Sequence, residues 1–124
     1  KWIWVDASAL VLLHDESLSE HGGASGLRDR GLFQSAMAWP QNLALYGQPD
    51  VAELAACYAH GQNHPFVDGN RRVAFLAAGM FLFLNGYRLV ATQQQATNTM
   101  LALAAGELDE ASYAEWLRKH IVRV

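Results

Sequence analysis

The run Val73–Leu84, reading VAFLAAGMFLFL, constrains this chain more than any other stretch. Its twelve residues carry no charge and no side-chain hydrogen-bonding group. A membrane-spanning helix needs about 20 apolar residues, so the run is too short to cross a bilayer. Wound as a helix it is apolar on nearly every side, and such a helix belongs at the centre of a packed domain. The sequence therefore predicts a buried helix from about Asn70 to Asn85, stopped by Gly86 in a left-handed conformation. Phe75, Phe81 and Phe83 are expected in the core.

The remaining segments read as helices wrapped around that centre. Ser8 to about Ser19 has helical spacing, with Leu10, Leu13 and Ser17 on one face, and Gly22-Gly23 stops it. Ala24 to Asp29 reads as a loop. Asp29 can N-cap a short helix carrying Leu32, Phe33, Ala36, Met37 and Trp39, which Pro40 should end. Gln41 to Pro49 lacks a strong period and holds the turn signals Tyr46-Gly47 and Pro49, so a short hairpin or flap is expected. Asp50 with Glu53 forms a capping-box pattern for a helix to about Gly61. Tyr87 to Ala91 predicts a short strand, and Trp2–Val5 an extended lead-in. Thr92 with Gln95 opens a helix that stops before Gly106, and Asp109 caps a last one through about Arg123. No repeat or linker divides the chain. The expectation is one all-α domain over residues 1–124, about six helices around a central one, with a short β-like flap.

Composition narrows the function. With 52% hydrophobic and 17% charged residues the chain is globular, not disordered. A formal net charge of −3 argues against a protein that binds nucleic acid by neutralising its phosphates. The single cysteine, Cys57, allows no internal disulfide and reads as a buried thiol, which fits a reducing cytoplasm. Asp6 comes early and no small-residue cleavage site follows, so no secretory leader is expected.

Chemistry concentrates in His64–Arg72, HPFVDGNRR, just ahead of the apolar helix. A helix start presents free N–H groups and the positive end of the helix dipole, which suits an anion. Gly69 lets backbone approach a phosphate closely. Arg71 and Arg72 are cations that oppose the dipole unless an anion joins them, and guanidinium matches phosphate geometry. Asp68 would oppose a bare anion site, but it suits a Mg²⁺ ion shared with phosphate oxygens. It also stands where an N-cap of the helix could sit. His64 can take a proton from an attacking hydroxyl near neutral pH. Base, metal carboxylate and phosphate cradle together predict phosphoryl or nucleotidyl transfer. His60 and His64 are four apart, as in a zinc hydrolase, but no Glu follows His60, so zinc is not expected. His14, His21 and His120 are scattered and read as surface or core filling.

HPFVDGNRR resembles the Fic/Doc motif, His-x-Phe-x-Asp-Gly-Asn-x-Arg, filled by His64, Phe66, Asp68, Gly69, Asn70 and Arg72. Leu13-His14, Gly22-Gly23, Gly26-Leu27-Arg28-Asp29, Gly31-Leu32, Trp39-Pro40-Gln41 and Asn85-Gly86-Tyr87 extend the likeness to the death-on-curing branch along nearly the whole chain. The resemblance implies a Fic fold and a role for each residue. His64 would be the general base, Phe66 the anchor of the loop and Asp68 the Mg²⁺ ligand. Gly69, Asn70, Arg71 and Arg72 would bind the phosphates of ATP, and Gln41–Pro49 would dock the target. Fic enzymes that transfer AMP carry Gly where Arg71 stands, and a second Arg where Phe75 stands. The death-on-curing toxins carry Lys at the place of Arg71. The resemblance thus implies a toxin that moves the γ-phosphoryl group of ATP to a hydroxyl of elongation factor Tu. No self-inhibiting Ser/Thr-x-x-x-Glu motif is present, which implies inhibition in trans by a Phd-like antitoxin. Two rivals stand beside this reading: transfer of AMP on the same fold, and a non-catalytic phosphate-binding module.

Overall fold

A computed structural model describes residues Lys1–Val124. Six helices and one small sheet follow in the order α1 (Ala7–His21), α2 (Arg30–Tyr46), α3 (Val51–Gly61), α4 (Asn70–Leu84), β1 (Tyr87–Leu89), α5 (Gln93–Ala104), α6 (Glu110–His120) and β2 (Ile121–Arg123). The all-α architecture expected from the sequence is what the chain adopts.

Local chemistry explains most boundaries. Asp6, Asp29, Asp50, Thr92 and Asp109 each accept a first-turn N–H at the start of α1, α2, α3, α5 and α6. Asp50 with Glu53 and Thr92 with Gln95 close full capping boxes. Gly22, Gly86 and Gly106 take positive φ just beyond α1, α4 and α5, where a side chain would be strained.

The core forms where α3 packs between α4, α2 and α6. Leu54, Ala55, Ala56, Tyr58 and Ala59 are wholly inaccessible to solvent, as are Val73, Ala77 and Phe81 of α4. The small residues let the two helices approach closely. Trp2, Trp4 and Tyr58 all pack on the Phe81 ring, with centroids 5.3–5.8 Å away. The lead-in Trp2–Val5 joins no sheet, and side chains hold it in place. The Tyr58 hydroxyl accepts from the Val5 amide, and the Asn85 carboxamide pairs with both backbone groups of Ile3.

Five expectations need correction. First, α4 is not buried all round: Phe83 is 76% exposed and Phe75 37%. The helix most nearly enclosed is α3, where nine of eleven residues are buried because its small alanines let three helices pack against it. Second, Pro40 does not end α2. Its ring is fully buried, and the helix continues to Tyr46. Tertiary packing outweighs the one missing N–H and the ring crowding that usually stop a helix at proline. Third, no β-like flap exists at Gln41–Pro49, because residues 41–46 belong to α2. Fourth, α1 turns Leu10, His14 and Leu18 inward, not Leu10, Leu13 and Ser17. Fifth, α6 stops at His120, and Ile121–Arg123 leaves as a strand antiparallel to β1, with Leu89 opposite Ile121.

Candidate active site

The segment 64–69 is irregular; the turn 62–63 joins it to α3, and it runs directly into α4. Phe66 fixes its middle. The ring is buried and meets Phe33 edge-on, with centroids 5.4 Å apart, and His14 at 4.4 Å. Asn70, in the first turn of α4, closes the loop. Its Oδ1 accepts from the Phe66 amide at 2.9 Å and its Nδ2 donates to the Phe66 carbonyl at 3.0 Å. The Asn70 side chain is thereby committed to the loop, which leaves its backbone N–H as the group that could meet an anion.

Gly69 is the N-cap of α4, with φ 72°, and no side chain caps this helix. Asp68 is not the cap: its Oδ1 accepts from the Gly69 amide at 2.8 Å, one residue too early to serve the first turn. Its Oδ2 lies 3.4 Å from the Ala24 amide. Gly69 tolerates no Cβ, which would stand 2.7 Å from His14 Cε1. A cleft of about 970 Å³ opens beside this helix start. Asp68, Gly69, Asn70, Arg71, Arg72 and Phe75 form one wall, and Thr92, Ala96 and Met100 of the α5 region form another.

Charge around the cleft is uncompensated. The three ion pairs of the chain all involve Arg118 or Lys119, far along the sequence in α6. Asp68, Arg71 and Arg72 make none, and the buried Nη1 of Arg72 has no hydrogen-bond partner. A carboxylate that makes no ion pair, on the same cleft wall as two guanidinium groups and an uncapped helix start, would suit a divalent cation shared with phosphate oxygens. The donors it offers are oxygen, as Mg²⁺ requires.

His64 is exposed at the far end of the loop and does not line the cleft wall. Its carbonyl accepts from both Nε (3.1 Å) and Nη2 of Arg28. The structure thus gathers Asp68 through Arg72 at one cleft, with His64 beyond its rim and Phe66 beneath the loop.

One residue of the site escaped the sequence reading as filler. His14 is wholly buried, and its Nε2 donates to the Asp68 carbonyl at 3.0 Å. Burial lowers its pKa, against the opposing pull of that hydrogen bond, which favours the neutral ring. The signal was available: Leu10, His14 and Leu18 are spaced by four, which places the imidazole on the buried stripe of α1.

The chain is similar in sequence to known proteins. The model of the Fic/DOC family matches residues 4–82. The chain is 32% identical over 118 residues to the Protein kinase doc of Escherichia phage P1, covering 93% of each protein. It is 41% identical over 75 residues to the Toxin Doc of Mycolicibacterium smegmatis, covering 56% of this chain and 57% of that protein. Motif, helical fold and near full-length similarity agree: the chain belongs to the Fic/DOC family.

Proposed function

We propose that this chain is a Doc-type toxin that transfers the γ-phosphoryl group of ATP to a Ser or Thr hydroxyl of a target protein. Elongation factor Tu is the target proposed, and an antitoxin partner would restrain the chain in trans. The observation that carries the reading is the uncapped start of α4 beside the unpartnered Arg72 Nη1 and the unpaired Asp68. Free N–H groups and guanidinium would bind phosphate oxygens. Asp68 would hold Mg²⁺, which neutralises phosphate charge when bound.

In the proposed step the target hydroxyl oxygen attacks Pγ. The new O–Pγ bond forms as the bond from Pγ to the β,γ-bridging oxygen breaks, and ADP leaves. The hydroxyl proton passes to the exposed imidazole of His64. Exposure at the rim suits a group that must meet a protein substrate. Arg71 is exposed on the cleft wall, and Phe75 stands where AMP-transferring enzymes carry a second Arg. Both features favour phosphoryl over nucleotidyl transfer.

The test is incubation of the purified chain with bacterial extract, Mg²⁺ and ATP labelled at the γ position, beside His64→Ala. A labelled band that vanishes in the variant is expected. Label arriving only from the α position would replace this reading with AMP transfer. Silence with both labels would leave a phosphate-binding module.

A further inference from the structure

The loop 64–69 is braced along its middle by a neighbouring backbone. Residues 26–29 run antiparallel to it, with a bridge between Leu27 and Phe66. The Val67 amide donates to the Gly26 carbonyl at 3.0 Å, and the amides of Arg28 and Asp29 donate to the Pro65 carbonyl at 2.8 and 3.1 Å. These bonds reach from Pro65 to Val67 and stop short of both His64 and Asp68. Side chains take over at those two ends. Arg28 grips the His64 carbonyl through two of its nitrogens, and His14 holds the Asp68 carbonyl from below.

Neither contact is explained by packing alone. Arg28 is exposed, forms no ion pair, and directs the guanidinium donors Nε and Nη2 at one carbonyl. An exposed bond of this kind adds little to global stability. His14 is a polar ring in an otherwise apolar stripe, and its Nδ1 is left without a partner. An apolar residue would fill that space without leaving a buried nitrogen unsatisfied. What both contacts do is fix the backbone of the two residues that the proposed reaction depends on.

We propose that Arg28 and His14 are positioning residues, Arg28 setting the place of His64 and His14 the place of Asp68. The inference rests on the reading of His64 as proton acceptor and Asp68 as metal carboxylate. Displacing a reacting group by about 1 Å can cost about 100-fold in rate, so the Arg28 clamp acts on turnover more than on ATP affinity, and the His14 clamp acts through the Mg²⁺ that Asp68 would hold.

Four variants test this in the full chain: Arg28→Ala, Arg28→Lys, His14→Leu and His14→Gln. Leu keeps bulk without a donor, whereas Gln keeps an N–H. The first readout needs no substrate. Exchange of the hydrogen-bonded loop amides of Phe66, Val67 and Gly69 should quicken by about tenfold in Arg28→Ala and His14→Leu, with the α3 and α4 core amides unchanged. The second is phosphotransfer. Arg28→Ala should lower kcat by about 10- to 100-fold with the KM for ATP within about twofold, and Arg28→Lys should recover part of the loss. His14→Leu should raise the Mg²⁺ concentration needed for half-maximal rate, and His14→Gln should lower it again. Unchanged exchange in the loop would overturn the clamp. Exchange quickened throughout the chain, with no recovery in Arg28→Lys or His14→Gln, would reduce both residues to general stabilisers. Absence of transfer by the unaltered chain would instead sink the reading of the reaction, while the exchange data would still decide whether the loop is clamped.

Discussion

The Asn70 side chain satisfies both backbone polar groups of Phe66, accepting from its N–H at 2.9 Å and donating to its C=O at 3.0 Å. Only a carboxamide of this length offers both an acceptor and a donor in that pairing. Asn70→Asp keeps the acceptor but sets a carboxylate against the Phe66 carbonyl. We expect a loss of about 1–3 kcal/mol from the lost donor and the unsatisfied carbonyl, read by urea unfolding, together with a collapse of transfer activity. A variant as stable as the parent would show that the pairing contributes nothing.

Gly69 and Gly79 should respond to alanine with opposite signs. At Gly69 the backbone is left-handed, φ 72°, and a Cβ would meet His14 Cε1 at 2.7 Å. Left-handed backbone costs an L-residue about 1–2 kcal/mol, and the clash adds to it. At Gly79, inside α4, a Cβ meets nothing within 4 Å. There alanine should stabilise by about 0.5–1 kcal/mol through helix propensity. Thermal midpoints of the two variants measured side by side check the pair of signs.

Acid should weaken the tie between α3 and α6. Arg118 donates to both carboxylate oxygens of Asp50, at 2.7 and 3.2 Å. That guanidinium, against some desolvation, holds the Asp50 carboxyl below the ordinary carboxylate range. A folded pKa below the unfolded one contributes stability above the unfolded value of about 3.9, and the contribution is lost as pH falls through the folded value. The two side chains are 40% and 47% exposed, so screening keeps the pair below about 1 kcal/mol. Arg118→Ala should destabilise slightly at pH 7, and the deficit should shrink as pH falls below about 3.9. A deficit that persists in acid would assign the effect to packing.

The thiol of Cys57 should be inert in the folded chain. It is buried, and desolvation pushes it up to about 12, so almost no thiolate is present at neutral pH. Labelling by an aromatic disulfide reagent should proceed only at the rate of unfolding. Fast labelling in native buffer would mean that α3 opens locally.

Helix starts were the most legible part of the fold, because Asp29, Asp50, Thr92 and Asp109 act through local hydrogen bonds written within three residues. The loop motif was legible for a similar reason, since HPFVDGNRR packs its functional groups into nine consecutive positions. What escaped was decided across the chain. Pro40 looked like a stop, and only the packing around its buried ring keeps α2 running to Tyr46. Ile121–Arg123 looked helical until Tyr87–Leu89 offered a strand edge 34 residues upstream, pairing Ile121 with Leu89 and Arg123 with Tyr87. His14 looked like filler because its partner, the Asp68 carbonyl, lies 54 positions away. Arg28 belonged to a stretch that resembled the family, but nothing local linked it to the His64 carbonyl.

The bare start of α4 makes substrate and scaffold hard to separate. Every other helix of the chain completes its own first turn with an Asp or Thr oxygen, whereas this one stops at a glycine and leaves the turn open. Under the proposed function, a phosphate oxygen would sit where those side-chain oxygens sit elsewhere. The nucleotide would then be the missing cap of the helix it reacts on, a turn the chain itself closes only through the Val73 amide on the Gly69 carbonyl. Such a chain would report its own occupancy: its melting temperature would climb with nucleotide concentration even in a His64 variant that cannot turn over.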